Sequence, residues 1–326
     1  MRVLITGGSG YIGSHVVRAF LLRGHSVVVI DDLSTGDYRL IERLNAQFIE
    51  GDAGDFDLLD ALFREHKFDA VVHIAGRSIV PESVSDPAPY WRANFMVGST
   101  ILEVMRKHGV KRFVFSSTGS VYGVPSTSPI SELVFENPTS PYGASKRCFE
   151  LLLESYISAY GLDALALRYF NVVGASHDAL LGEIHDPETH VVPNLIKNTI
   201  KGDPFVLFGV DHPTRDGTAE RDYVHVEDLA EAHVTTVESL GSPKLDGIFA
   251  MNLGTGRGTT VKELLAAVEK TLELKVEVVE QPARPGDPPS LVADPSLAER
   301  TLGIRCERSI ESAILSAHAF WMSEGM

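Results

Sequence analysis

The chain is predicted to be an α/β protein built on a doubly wound parallel sheet of the Rossmann kind, followed by a smaller C-terminal substrate-binding region. Three observations carry this expectation. Over the first 170 residues, short apolar runs alternate with helix-length stretches, the pattern of consecutive βαβ units. The first run empties into Gly7-Gly8-Ser9-Gly10-Tyr11-Ile12-Gly13 and then into a helical stretch. The second run ends on an acidic pair, Asp31 and Asp32.

In order along the chain, strands are expected at residues 3–6, 26–30, 47–50, 70–74, 112–116 and 164–168, each short, mostly apolar and bounded by polar or glycine turns. Helices are expected between them at 12–23, 57–65, 90–108 and 142–160. This alternation implies a parallel sheet covered on both faces. After Phe170 the pattern loosens. Residues 174–193, 211–222 and 281–289 read as polar or proline-rich loops. Between and around them a helix is expected from about Val191, a strand at 205–208, a helix from Val226, a strand at 248–253, a helix after Thr259 and a strand at 275–279. The division expected is a cofactor-binding domain over 1–170, with elements near 224–255 returning to it, and a mainly substrate-binding region over 171–326.

The glycine cluster has the chemistry of a pyrophosphate cradle. Gly7 permits the tight turn, Gly10 lets the backbone approach the phosphates, and Gly13 lets helix and strand pack closely. The helix opening at Tyr11 and Ile12 offers free N–H groups and a partial positive charge. Asp31, at the tip of the second strand, can accept hydrogen bonds from a ribose diol, and with Asp32 it repels a 2′-phosphate. NAD is therefore the expected cofactor, rather than NADP.

Composition narrows the class. The 326 residues are 44% apolar, enough for a substantial core. The formal charge of −15 argues against a nucleic-acid surface. No apolar run approaches membrane-spanning length. The chain starts directly in the first strand without a signal-like segment, and it has only two cysteines, Cys148 and Cys306, so a cytoplasmic, reducing location is expected. No metal is expected.

Tyr142-Gly143-Ala144-Ser145-Lys146 opens a helix after Pro141, and a spacing of four puts both side chains on one face. A nearby ammonium stabilises a phenolate, which makes tyrosine a usable general acid/base. Tyr and Lys four apart also occur on solvated helices without function, but here Ser116-Ser117-Thr118 ends a strand at the same carboxyl edge as the glycine loop. Thr118 is placed to share a substrate oxygen with Tyr142; its structural alternative is a turn or cap residue.

These segments, with Val121-Tyr122-Gly123, resemble the extended short-chain dehydrogenase/reductase superfamily. Arg168-Tyr169-Phe170-Asn171, Asp186-Pro187-Glu188-Thr189-His190, Arg221-Asp222-Tyr223-Val224-His225 and Arg284-Pro285-Gly286-Asp287-Pro288 resemble, more narrowly, the UDP-glucose 4-epimerases. The likeness runs from residue 1 to about 305. It implies that Tyr142 exchanges a proton with the sugar 4-hydroxyl while the C4 hydride passes to NAD and back to the other face of a 4-keto sugar. It further implies that Lys146 holds the nicotinamide ribose, that Thr118 is the hydroxyl partner, that Asn94 orients the lysine region, and that Asp52 with the adjoining Ala53 contacts adenine. Asn171, His190, Arg221, Arg284 and Asp287 match contacts to the UDP moiety and the sugar, and arginines suit a diphosphate. A homodimer is implied as well.

Three positions depart from the pattern. Ser78 stands where some members have a cofactor-side lysine, Thr118 where some have serine, and Leu291 where some have a tyrosine beside the sugar C2 substituent. The last leaves room for epimerases of UDP-N-acetylglucosamine, and a UDP-glucuronate epimerase is a further alternative. A non-catalytic NAD-binding protein is a third, although it has no need of the Thr–Tyr–Lys set. A 4,6-dehydratase would need an acidic pair after Thr118, and Gly119 and Ser120 stand there instead.

Overall fold

The computed structural model describes residues 1–185, 188, 190–284 and 288–325. The first part runs β1 (Arg2–Thr6), α1 (Tyr11–Leu22), β2 (Ser26–Asp31), α2 (Tyr38–Glu42), β3 (Gln47–Glu50), α3 (Phe56–His66), β4 (Ala70–His73), α4 (Val80–Ser85), α5 (Ala88–Trp91), α6 (Val97–His108), β5 (Arg112–Thr118), α7 (Pro141–Tyr160) and β6 (Asp163–Tyr169). It continues with β7 (Asn171–Val173), α8 (Val191–Lys201), β8 (Phe205–Phe208), β9 (Glu220–His225), α9 (Val226–Ser239), β10 (Ala250–Leu253), β11 (Gly258–Thr260), α10 (Val261–Leu272), β12 (Val278–Gln281), β13 (Ser290–Leu291), α11 (Ser296–Leu302) and α12 (Ile310–Ser323).

Seven strands form one parallel sheet in the order β10-β6-β5-β4-β1-β2-β3. The chain builds outward from β1 through β2 to β3, then crosses back to β4 and builds the other way. The crevice at the carboxyl ends of β1 and β4 is therefore the topological switch point, where such sheets bind ligands. Alternate residues of the strands feed two cores. Val3, Ile5, Val29 and Val72 meet Val16 and Phe20 of α1 and Leu229 and Val237 of α9 on one face. Leu4, Val28, Val71, Phe113 and Phe115 meet Leu59, Ile101 and Phe149 of α3, α6 and α7 on the other. Burial on both faces is why these strands read as continuous apolar runs.

A second, smaller layer centres on β9. It pairs antiparallel with β11, and parallel with β13 along its first half and with β7 along its second. β8 and β12 form a parallel pair. Leu195, Ile196, Leu207, Leu264, Val268 and Ile314 close a third core under α8, α10 and α12.

The structure departs from expectation in specific places. The helix expected over 90–108 is interrupted by a π-helical turn, Arg92–Met96, which carries Asn94. The loop expected through 222 gives way to β9 at Glu220, and the strand expected at 275–279 lies at Val278–Gln281. The strands β7, β11 and β13 and the helices α2, α4, α11 and α12 arise where no element is expected; six of these seven are shorter than eight residues. No helix among the described residues is long and apolar enough to cross a membrane.

Candidate active site

The glycine loop at the switch point is built by steric exclusion. Gly7 lies at φ +71, and a Cβ there would sit 2.5 Å from the Ala75 nitrogen of the strand-end segment after β4. A Cβ on Gly13 would sit 2.0 Å from the Gly7 carbonyl oxygen. Gly10 is different: a Cβ there would meet only the Gly7 oxygen, at 3.5 Å, so its outer side is open. Gly10 is also the N-cap of α1, and no side chain caps this helix end. The start of α1 at Tyr11 and Ile12 is thus left facing a space that a phosphate can enter. Beside it the Ser9 hydroxyl is buried with no hydrogen-bond partner among the described residues. An open glycine, an uncapped helix and an orphaned hydroxyl together fit a bound dinucleotide.

Asp31 ends β2 directly beside this loop. Its carboxylate is buried and accepts from the Ser9 and Leu33 N–H groups, each at 2.9 Å. Burial raises its pKa, while those two N–H groups act in the opposite direction. Asp31 therefore shapes the loop, and each of its oxygens keeps a further lone pair able to accept from a hydroxyl. Asp32 is exposed and caps the following turn through the Ser34 N–H. After β3, Asp52 accepts from the Gly54 N–H at 2.7 Å, with the buried Ala53 between them. Stripped protein is expected to bind NAD at least about tenfold, or about 1.4 kcal/mol, more tightly than NADP, because juxtaposed like charges cost more than that. Calorimetric titration with each nucleotide checks this, and equal or tighter NADP binding refutes it.

The three residues expected to carry the chemistry come from two elements that meet at the same edge. Ser140 caps α7 by accepting from the Gly143 N–H, and Pro141 starts the helix, so Tyr142 and Lys146 lie one turn apart on its buried side. The Tyr142 N–H is held by the Ser83 hydroxyl from α4 at 3.2 Å. Thr118 ends β5, and its oxygen accepts from the Ser120 N–H. Burial pushes the Tyr142 phenol above its ordinary pKa, and a hydrogen bond with Thr118 works against that rise.

Lys146 is held by partners outside its own helix. Its ammonium donates to the Ser116 carbonyl at 3.0 Å and lies 4.9 Å from the centre of the Phe115 ring. Burial lowers its pKa from 10.5 to about 8, with Glu150 one turn further on opposing the change. The dominant effect on Tyr142 is therefore burial, and the lysine charge is itself held at a cost. This gives a signed prediction for Lys146→Met in the cofactor-free protein. Below about pH 8 the native lysine is charged and buried, and the wild type carries a pH-linked penalty of roughly 3 kcal/mol that the methionine variant lacks. Between about pH 8 and 10.5 the native state releases a proton that the unfolded chain still holds, so wild-type stability rises and the difference shrinks. Urea unfolding across this range checks it; a difference that does not change with pH refutes it.

Asn94 supports the lysine region through contacts that its sequence position does not reveal. It is fully buried, accepts from the Arg77 N–H at 2.9 Å, and donates to the Arg77 carbonyl and the Ser145 hydroxyl. A Cβ on Gly76 would lie 2.5 Å from the Asn94 oxygen and 3.2 Å from the Lys146 nitrogen, so only glycine fits there. Ser78, at the site of the missing lysine, is exposed.

Behind this trio lies an ion network that sequence reasoning missed. Arg168 and Glu150 are both fully buried and form a bidentate pair at 2.9 and 2.7 Å. Arg168 also donates to Glu136 at 2.8 Å and to the Tyr122 hydroxyl at 2.9 Å, and Tyr122 donates to Asn252 at 2.7 Å. The Ser117 hydroxyl donates to Glu150 at 2.5 Å. The network ties α7, β6, β10 and the turn after β5 into one unit. Its signal in the sequence is an arginine inside an otherwise apolar strand.

Of the substrate-side candidates, Asn171, Arg221 and Leu291 lie on the smaller sheet. Leu291 pairs with Arg221 across β13 and β9, and Asn171 pairs with Tyr223 across β7 and β9. Leu291 packs with Tyr122, Ile130 and Phe170, which brings it to the turn that follows Thr118. Arg221 donates to the Glu220 carbonyl. His190 is the N-cap of α8 and engages Glu183 through Nδ1. Arg284 lies over the Phe208 ring, 4.1 Å from its centre, on β8 rather than on the sheet of Arg221. Asp287 lies outside the described residues.

Comparison with known proteins gives concordant results. Residues 3–254 match the model of the NAD dependent epimerase/dehydratase family. The UDP-glucose 4-epimerase of Lactobacillus helveticus is 42% identical over 304 residues, 93% of this chain and 91% of the other. The crystal structure of UDP-glucose 4-epimerase from Brucella ovis in complex with NAD superposes with a TM-score of 0.92 at 41% identity, covering 97% of both chains. That of the Bifidobacterium longum enzyme with NAD+ and UDP superposes with a TM-score of 0.93 at 34% identity, covering 99% and 98%.

Proposed function

The chain belongs to the NAD dependent epimerase/dehydratase family, and we propose that it interconverts UDP-glucose and UDP-galactose by NAD-dependent 4-epimerisation through a transient 4-keto sugar. The observation that carries this reading is the convergence of Thr118, Tyr142 and Lys146 on the carboxyl edge that also holds the glycine loop. Gly7, Gly10, Tyr11, Ile12, Gly13, Asp31, Asp52, Ala53, Asn94 and Lys146 are assigned to NAD. Bound NAD would supply a hydride acceptor for sugar C4 and a hydride donor to the opposite face of the 4-keto sugar. Tyr142 takes the proton from the 4-hydroxyl as that hydride leaves and gives it back to the oxygen on return. Thr118 donates to the same oxygen. Lys146 is the cation nearest in the chain to Tyr142 and favours its phenolate form.

Asn171, His190, Arg221, Arg284, Asp287 and Leu291 are assigned to the UDP-sugar. Leucine at 291 leaves the pocket beside C2 wider and less polar than tyrosine would, which supports some turnover of UDP-N-acetylglucosamine. Arg221→Met and Arg284→Met are each expected to weaken UDP binding by about 1.5–3 kcal/mol, the loss of a charge-assisted hydrogen bond, without changing NAD retention. Calorimetry with UDP checks this, and unchanged affinity in both variants removes the arginines from the site.

Residues 1–170 with 224–255 are assigned to the cofactor, and the remainder of 171–326 mainly to the substrate. A homodimer is supported by Val84, Met96 and Leu151, apolar residues left exposed where α4 and the π-helical turn pack on α7. Light scattering that returns a monomer overturns it. Two free cysteines support a reducing, cytoplasmic location. The decisive test of the activity is whether purified protein carries bound NAD and converts UDP-galactose without added nucleotide. Retained NAD with no conversion of any UDP-hexose would favour the non-catalytic alternative.

A further inference from the structure

Between β7 and α8 the chain brings together Glu183, His185, Glu188 and His190. One ligand atom from each lies within 4.8 Å of the other three. Both carboxylates are nearly inaccessible, at 4% and 5% side-chain exposure. The Glu183 Oε1 atom meets two imidazoles at once, His190 Nδ1 in a short contact and His185 Nδ1 at 3.1 Å. Yet His185 Nδ1 is buried and forms no hydrogen bond of acceptable geometry with that oxygen. Proximity without donor–acceptor alignment is the relation between two ligands of one cation. Metal bonds of about 2.0–2.1 Å at a tetrahedral angle place ligand atoms roughly 3.3 Å apart. His185 Nδ1 lies 3.9 Å from Glu188 Oε1, within reach of the same centre.

The surroundings hold these groups in place. Ile184, between two of them, packs against Phe320 and Trp321 of α12. A Cβ on Gly182 would lie 2.2 Å from the Phe320 ring. Lys197 is seated over the Trp321 ring, 3.6 Å from its centre, and is 3.7 Å from Glu188 Oε2. Burial penalises the charge of these two carboxylates unless it is paired or bound to a metal.

We propose that Glu183, His185, Glu188 and His190 form a binding site for one divalent transition-metal ion, with Zn2+ the best match. Two imidazole nitrogens and two carboxylate oxygens are a borderline donor set that suits four-coordinate Zn2+; the imidazoles argue against Ca2+ and Mg2+. Four ligands within eight residues would make the ion a clasp on this connection, fastening the entry to α8, whose N-cap His190 makes no side-chain cap hydrogen bond. The site goes beyond the epimerase reading, since a chain that acts on no sugar would hold the ion equally well.

The test uses the full chain after treatment with a chelator. Titration with Zn2+ alone is expected to give about one tightly held ion per chain, and titration with Co2+ alone to give visible absorption bands of a four-coordinate site. H185Q and E188Q, at positions outside the assigned substrate contacts, are each expected to weaken Zn2+ binding by more than the 10–100-fold typical of losing an outer-shell partner. Circular dichroism and NAD binding report their folding. Absence of Zn2+ uptake by the wild type overturns the proposal, as does unchanged affinity in the H185Q/E188Q double variant. Should the variants not fold, wild-type stoichiometry and the Co2+ spectrum still decide. Lost epimerisation with intact Zn2+ binding would count against the functional reading alone.

Discussion

Tyr142→Phe is expected to turn over UDP-galactose roughly 10²–10⁴-fold more slowly than the wild type, the usual loss on deleting a general acid/base. The ring packs edge-on against Tyr90 at 6.5 Å between centres, and phenylalanine keeps that contact. The change therefore removes a proton carrier and leaves the fold and the NAD site in place. Single-turnover kinetics with NAD content measured on the same samples separates these effects. Near-normal turnover would move the proton transfer to another group. Loss of NAD or of folding would make Tyr142 a packing residue.

The largest stability change is expected at Arg168→Met. The substitution leaves the Glu150 carboxylate fully buried opposite a side chain that cannot pair with it, and breaking one half of a buried pair costs about 3–5 kcal/mol. The double variant Arg168→Met with Glu150→Gln should recover part of that loss, because no unpaired charge then remains. Denaturant unfolding of the two single variants and the double variant gives the coupling directly. Additive losses would mean that the pair acts as two independent packing residues. Because Glu150 also bears on Lys146, the single variants should change the pH dependence of turnover along with stability.

The first half of the fold is readable in the sequence because its signals are local. Burial on both faces makes runs such as Val27-Val28-Val29-Ile30 apolar throughout, and Ser140-Pro141 announces the start of α7. β9 is not readable, because its first residues, Glu220-Arg221-Asp222, look like a loop. Asp222 is buried there only because the Thr255 N–H and hydroxyl and the Gly256 and Ala293 N–H groups converge on it. Those donors lie far along the chain, so no short-range pattern records them. The same holds within the site. A spacing of four places Tyr142 and Lys146 on one helix face, but that the lysine donates to the Ser116 carbonyl depends on how α7 docks on β5. The histidines and glutamates of 183–190 read as a polar loop with no metal, since their convergence comes from the docking of that loop on α12.

The order of strands in the large sheet has a consequence for how the chain is made. β6 gains its outer neighbour, β10, only after everything from Phe170 to Phe249 has been synthesised. Until then an emerging chain carries a bare parallel edge, and the face of α1 that α9 later covers, with Val16 and Phe20, stays exposed to water. Unpaired edges and uncovered apolar faces invite pairing with other chains. The sheet is therefore most vulnerable to aggregation during this interval on the ribosome. A fragment ending near residue 170 would make that vulnerability permanent.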